Sequence, residues 1–300
     1  METVLITGGS GKIGRELISK IDQTKYDVRV LSRSGKPISA CSVFKWDVDN
    51  FSIDKKSLEN LDHIIHLAGS DVSTGRWTSS RKKEIRDSRI KSLSLIETHL
   101  IRPLKSFTLA SGISIYGTRT TAEIFSENSE IENKSDDFLA QVSEDWEAAA
   151  IKFGKKAETT LILRTPVVLS RSGGALEKLK KPIKMGFGSA LGDGKQWMPW
   201  VHIDDLIQAY IKGLEDHKFD GIYNVCAPEH ISNEEFTRKI AATVGKKIWA
   251  PKVPAFILKA MFGEMSGIIL NGSRVSGEKI EKTGLKYEYP TLELALTDLL

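Results

Sequence analysis

The chain has 300 residues, 40% of them hydrophobic and 27% charged, with 43 basic against 39 acidic side chains and a formal net charge of +4. That balance is the one of an ordinary folded protein, and it excludes a collagen-like, disordered or disulfide-stapled chain. A length of this size buries a large core and suits one large α/β domain plus a smaller one, while a small, scattered positive excess gives no reason to expect a nucleic-acid partner.

Cys41 and Cys226 stand far apart and in no CxxC or Cys/His arrangement, so neither a disulfide framework nor a metal site is expected. No apolar run approaches the roughly eighteen residues of a membrane span. The first residues run straight into a strand and leave no room for a leader. The expectation is a cytoplasmic protein with no membrane partner.

Val4, Leu5 and Ile6 form a short apolar, mostly β-branched run, the pattern of a strand buried on both faces of a parallel sheet. Gly8, Gly11 and Gly14 follow at three-residue spacing, and Arg15-Glu16-Leu17-Ile18 continues as a helix. A strand that turns on glycines into a helix N-terminus is a dinucleotide cradle. The glycines let the backbone approach a pyrophosphate, and the free N–H groups of the helix start meet its charge. Lys12 and Ile13, inside the same turn, join the candidate contacts.

Tyr26 to Leu31 reads as a second strand ending on Ser32-Arg33-Ser34. An acidic residue here would bond the ribose hydroxyl of NAD, whereas an arginine suits the extra phosphate of NADP. Ser32 and Arg33 therefore predict NADP(H). Ser42 to Trp46 is a third strand leading into Asp47-Val48, where Asp47 either reaches the adenine edge or caps the following turn. Leu61 to Leu67 makes a fourth strand, and the small Ala68 and Gly69 at its end let a cofactor lie close. His63 and His66 lack the spacing of metal ligands and read as core-edge histidines.

Thr78 to about Ile101 carries Ile85, Ile90, Leu93, Ile96 and Leu100 at helical spacing, with charged residues between them. An arginine of this helix turned toward the sheet would meet cofactor phosphates or an anionic substrate. Ser106 to Ala110 is a fifth strand, followed by Ser111 and the turn to Tyr116-Gly117. Thr118 to Asp136 is polar and suits a surface or lid loop. Phe138 to Phe153 reads as a helix, and Thr160 to Leu169 as a sixth strand interrupted by Pro166.

Beyond Ser170, glycines break the chain into short pieces. Lys178-Leu179-Lys180-Lys181 reads as solvated helix surface. Asp204 is placed to cap a helix running to Glu215, Gly221 to Val225 is a short strand, and Ser232 with Glu235 forms a capping-box pattern opening a helix to Val244. Pro254–Phe262, Ser276–Lys282 and Thr291–Leu300 read as further helices. Phe256, Ile257, Leu258, Met261 and Phe262 are expected to form a buried face, because the sequence around them lacks the basic flank of a lipid-binding helix. The expected division is a Rossmann domain at 1–169, joined again by about 197–226, and a smaller substrate-binding domain at 170–300.

With these motifs the chain resembles the extended short-chain dehydrogenase/reductase superfamily, and more narrowly its atypical branch of epimerase family proteins. The resemblance rests on Thr7–Gly14, His66–Gly69, Arg76–Ile90, Asp137–Ala150, Arg164–Leu176, Trp197–Leu206 and Val253–Leu300, nearly the whole chain. It implies a doubly wound α/β Rossmann sheet with a mostly helical C-terminal part over the nicotinamide edge. It also implies NADP(H) held by the Gly8 loop, Ser32 and Arg33, Leu67 and Ala68. Glu84, Arg89 and Val168 are the matching contacts of the second half, with Arg164 beside them.

One departure limits the chemistry. Active members of the superfamily carry a Tyr and, four residues later, a Lys, which lowers the Tyr pKa and holds the nicotinamide ribose. The corresponding helix here has Phe138-Leu139 and Val142-Ser143, and none of the six tyrosines has a lysine four positions on. Ser111 matches the superfamily's catalytic serine, and Tyr116 would serve as a proton donor if nearby charge lowered its pKa. The expectation is an NADP(H)-dependent oxidoreductase or epimerase-like enzyme, monomeric or homodimeric, acting on a small carbonyl or sugar-nucleotide-like substrate. The alternative is a non-catalytic NADPH-binding redox sensor.

Overall fold

The apolar run at the N-terminus becomes β1 (Glu2–Thr7), with Val4, Leu5 and Ile6 wholly buried, and the glycine turn leads into α1 (Lys12–Lys20). The computed structural model describes residues 1–130, 137–171 and 173–300, so the last six residues of the expected lid loop lie outside the described residues. β2 (Tyr26–Ser32), β3 (Ser42–Asp47) and the short β4 (Ser52–Ile53) follow, then β5 (His63–His66), α2 (Ser79–His99), β6 (Leu104–Gly112), β7 (Ile124–Phe125), α3 (Phe138–Gly154) and β8 (Ala157–Thr165).

These strands build an eight-stranded sheet in the order β11-β8-β6-β5-β1-β2-β3-β4, completed by β11 (Gly221–Asn224), with every pairing parallel except that of β3 with β4. The strand order reverses between β1 and β5, and an open α/β sheet takes its ligand in the crevice at that switch point. Helices cover both faces, as parallel strands apolar on both sides require. On one face Leu17 and Ile18 of α1 pack with Leu206 and Tyr210 of α5 (Ile203–Glu215). On the other, Leu93 and Ile96 of α2 pack with Trp146 and Phe153 of α3.

Pro166 ends β8 because it has no N–H to donate. The chain shifts partner there: β9 (Val167–Leu169) leaves the main sheet and pairs with β10 (Trp200–His202). A further core gathers Leu169, Trp200, Leu176 and Ile183 of α4 (Gly174–Lys184), Phe236 and Ile240 of α6 (Asn233–Thr243), and Leu292 and Leu296 of a C-terminal helix. Between these come α7 (Ala255–Phe262), α8 (Gly267–Leu270), β12 (Arg274–Val275), α9 (Glu278–Glu281) and α10 (Leu292–Leu299).

Two local expectations change. α5 is capped by His202, whose ring Nδ1 accepts from the Asp204 N–H at 3.2 Å; Asp204 and Asp205 instead sit in the first turn, where their charge favours the helix N-terminus. And α7 fully buries only Leu258: it docks through that side chain, the half-buried Phe262 and Arg76, which donates to the carbonyls of Ala260 and Met261, leaving Phe256, Ile257 and Met261 exposed. The Ser232–Glu235 capping box is formed as the sequence indicates.

Candidate functional site

The glycine turn sits at the switch point. Gly8 has φ +72°, and a Cβ there would fall 2.9 Å from the Leu67 carbonyl carbon and 3.0 Å from the Ala68 nitrogen. The ends of β1 and β5 therefore lie too close for any side chain. A Cβ on Gly14 would fall 2.5 Å from the Gly8 oxygen, which holds the first turn of α1 against the loop. No side chain caps α1 and no acidic residue occupies its first turn. The N–H groups at Lys12, Ile13 and Gly14 are left for an outside acceptor, and a dipole favours an anion there.

Two cations, Lys12 and Arg89, lie beside this cradle, and among the described residues neither has an ion pair. The exposed Lys12 reaches across to the loop after β9, where a Cβ on Gly174 would lie 3.5 Å from its Nζ. Arg89, from the sheet side of α2, donates to the carbonyls of Ser70 and Ile85 and lies over the Trp146 ring, 4.9 Å from its centre. Burial, helped by the like charge of Arg81, lowers its pKa to about 10. A guanidinium held this way beside Gly69 gains from an anion placed next to it. Glu84 faces the same loop, its carboxylate bound by Arg81 at 2.6 Å and by the Ser70 hydroxyl at 2.8 Å.

At the end of β2, Ser32 and Ser34 place their hydroxyls 3.3 Å apart, and Arg33 between them is exposed. The structure adds a residue the sequence reading lacks. Lys45 of β3 lies beside Ser32 in register, and its chain folds over the turn, where a Cβ on Gly35 would meet its Cε at 2.6 Å. Among the described residues neither Arg33 nor Lys45 has an ion pair. Only strand pairing brings Lys45 here, so no local motif marks it.

Asp47 takes the turn-capping role: its side chain accepts from the N–H groups of Asp49 and Asn50, both at 3.0 Å, and from the Asn50 amide at 2.8 Å. Both oxygens are engaged in this turn, and Val48 lies in it too. Leu67 and Val168 are half-buried against the core at the strand ends.

The two candidate catalytic hydroxyls, Ser111 and Tyr116, lie inside the fold. The buried Ser111 hydroxyl donates to Glu147 Oε1 at 2.6 Å, and Arg164 binds both oxygens of Glu147, at 2.9 and 2.8 Å. Arg164 also donates to the Tyr116 hydroxyl at 2.7 Å, and that hydroxyl donates to Asn224 at 2.8 Å. Tyr116 is 1% exposed, and burial pushes its pKa up to about 12, the opposite of the lowering that acid–base work requires. Burial opposes the charge of Arg164, but hydrogen bonding to Glu147 and its charge hold its pKa above the ordinary value. Ser111, Tyr116 and Arg164 thus form one internal network and do not face the cradle as free groups.

At the C-terminal end of β6 there is also a hydroxyl pair: the half-buried Ser114 and the buried Ser143 lie 2.7 Å apart, joining the turn after β6 to α3. Ser143 occupies the stretch of α3 where the Tyr/Lys pair is missing. His63 and His66 are fully buried, and among the described residues no cluster of His, Cys, Asp and Glu suits a metal ion.

A phosphate cradle at the switch point of a doubly wound sheet defines a nucleotide-binding α/β protein. The sequence profile of the NAD dependent epimerase/dehydratase family matches residues 4–226, and the chain belongs to that family; a domain of unknown function, DUF1731, matches 253–299. The chain is 30% identical over 302 residues to the human epimerase family protein SDR39U1, covering 99% of each chain. It is 32% identical over 305 residues to the chloroplastic SDR39U1 homolog of Arabidopsis thaliana, covering 98% of this chain and 85% of that one. The crystal structure of human SDR39U1 with NADPH superposes with a TM-score of 0.86, over 99% of this chain and 98% of that one. UDP-glucose 4-epimerase from Thermotoga maritima, with UDP-glucose, has a TM-score of 0.75 at 17% identity over 98% and 96% of the two chains, a likeness of fold alone.

Proposed function

We propose that this protein binds NADP(H) and transfers a hydride between it and a small carbonyl compound. The observation that carries the reading is the cradle at Gly8–Gly14 together with two cations, Arg33 after β2 and Lys45 on the neighbouring β3, neither with an ion pair among the described residues. A 2′-phosphate is doubly charged near neutrality and a ribose hydroxyl is not, so cations there favour NADP over NAD. The NADPH in the SDR39U1 crystal structure is consistent with this choice.

In this reading the turn at Gly8–Gly14 and the first amides of α1 hold the diphosphate. Lys12 and Arg89 neutralise it from either side, and Leu67, Ala68, Gly69 and Val168 line the approach. Bound NADPH supplies the hydride. The substrate oxygen then needs a donor, and the Ser114–Ser143 pair after β6 offers two hydroxyls bonded to each other. It hydrogen-bonds that oxygen, and the proton comes from water. We assign 1–169, with the returning 197–226, to the cofactor and the rest of 170–300 to shaping the substrate cleft.

Arg33→Asp should weaken NADPH binding by about tenfold or more and leave NADH binding unchanged or improved, with Lys45→Ala giving a smaller loss of the same sign. Calorimetric titration with both nucleotides reads this; an unchanged preference in Arg33→Asp contradicts the assignment. Substrate is sought by NADPH oxidation across a panel of carbonyl compounds.

A second reading is favoured by the burial of Ser111 and Tyr116: a protein that senses the redox state of the nucleotide without turnover. It requires different conformations or partner affinities with NADPH and NADP⁺, since a ligand shifts an equilibrium only by differential binding. Equal behaviour in the two states removes it.

A further inference from the structure

Two chain segments remote in sequence lie side by side at the surface of the C-terminal part. Leu191 and Val253 pair in parallel, Val253 N donates to the Ala190 carbonyl at 2.9 Å, and the Ser189 hydroxyl donates to the Pro251 carbonyl at 2.5 Å. Phe187 and Gly188 lead into this pairing on one segment, and Ile248 and Trp249 on the other. The base of this ribbon is apolar, since a Cβ on Gly188 would meet Ile183 at 2.6 Å and Ile248 at 2.9 Å. Its outer side is exposed: Phe187 by 66% and Trp249 by 71%, with Met185 next to them. α7 begins two residues after Val253 and carries Phe256, 72% exposed, and Met261.

The same ribbon end is strongly basic. Lys181 and Lys184 precede Met185 on α4, Lys246 and Lys247 precede Ile248, and Lys259 lies one turn from Phe256 on α7. Among the described residues none of these five lysines has an ion pair, whereas the neighbouring Glu177 and Glu234 are held by Lys180 and Lys252. Lys259 is the basic residue of α7 itself, and the lysines of α4 and of the segment before Trp249 stand close in sequence to Met185 and Trp249.

We propose that this face rests on an anionic lipid surface. Tryptophan and phenylalanine side chains insert at headgroup depth, and unpaired lysines around them attract anionic headgroups. A second copy of this chain would set the five lysines against their own like charges. An acidic protein would satisfy the lysines but gives no reason for the exposed Phe187, Trp249 and Phe256. This is peripheral contact: no helix among the described residues is long and apolar enough to cross a membrane.

The test is flotation of the full chain with phosphatidylcholine vesicles, with and without phosphatidylglycerol. The wild type is expected to float with the anionic vesicles, weakly with the neutral ones, and less as salt rises. Phe187→Ser with Trp249→Ser, and separately Lys246→Glu with Lys247→Glu, should each reduce partitioning about tenfold or more. Unchanged NADPH affinity and melting temperature show that these variants fold. No flotation of the wild type, or flotation equal in wild type and both variants, overturns the proposal. So does light scattering that shows a wild-type dimer made monomeric by Phe187→Ser with Trp249→Ser.

Discussion

His66 shows how burial decides a residue's role. Its Nδ1 lies 3.0 Å from the Thr7 hydroxyl and its Nε2 3.1 Å from that of Ser92, and Thr7 also accepts from the Ala68 N–H at 3.1 Å. The imidazole locks the ends of β1 and β5 together just beneath the cradle. Burial, with the nearby Arg89 cation, lowers its pKa from 6.5 to about 3. The unfolded chain then binds the proton that the folded chain refuses, so stability falls as pH drops below 6.5, down to the folded pKa. The slope approaches roughly 1.4 kcal/mol per pH unit, or about 2 kcal/mol lost between pH 6.5 and pH 5. His66→Asn is expected to be less stable at neutral pH but to lose this part of the acid sensitivity, read from melting curves across that range. An identical pH dependence in the two proteins contradicts the account. The reading of His66 as a core residue was open to the sequence because no ligand-like partner is spaced around it; its two hydroxyl partners were not, because Thr7 and Ser92 meet it only when β1, β5 and α2 are assembled.

At the scale of elements, the network that joins β6, α3, β8 and β11 is a structural joint. Glu147 on α3 and Arg164 on β8 form a bidentate pair with both side chains nearly inaccessible, and Ser111, Tyr116 and Asn224 satisfy their remaining groups. Asn224 in turn donates to the Ser276 carbonyl at 3.1 Å, carrying the joint into the C-terminal segment. Removing one member of a buried pair strands the other. Arg164→Met is expected to cost about 3–5 kcal/mol of stability, against about 1–3 kcal/mol for Tyr116→Phe, which removes one hydroxyl. Chemical denaturation reads both, and an Arg164→Met protein as stable as the wild type contradicts the joint. The strands and the long helices were legible in the sequence because apolar periodicity is local. The joint was not: Ser111 and Tyr116 look like free active-site groups until pairing of β6 with β8 sets Ser111 opposite Arg164. His202 as the cap of α5 was hidden for a similar reason, since Asp204 two residues on is the commoner capping type.

For the whole molecule, the sheet and the C-terminal part are tied at several points. α5 returns the chain to the sheet face, and Asp205 at its start accepts from the N–H groups of Glu288 and Tyr289, at 2.7 and 3.2 Å. The His202 and Tyr289 rings stack with centres 3.8 Å apart. Ser273 bonds the Gly117 carbonyl at 2.7 Å, next to the turn that carries Ser114. The segment after β9 is therefore tied to the sheet through the start of α5 and through the turn after β6. The cradle itself was legible because the strand, the three glycines and the helix are contiguous. The basic apolar face around Trp249 was not, because its lysines and aromatics come from three separate stretches.

Calorimetric titration of NADPH and NADH into the unmodified protein tests the central claim most directly. The account predicts saturable binding of NADPH, tighter than that of NADH. An absence of heat with both nucleotides, or a preference for NADH, contradicts it.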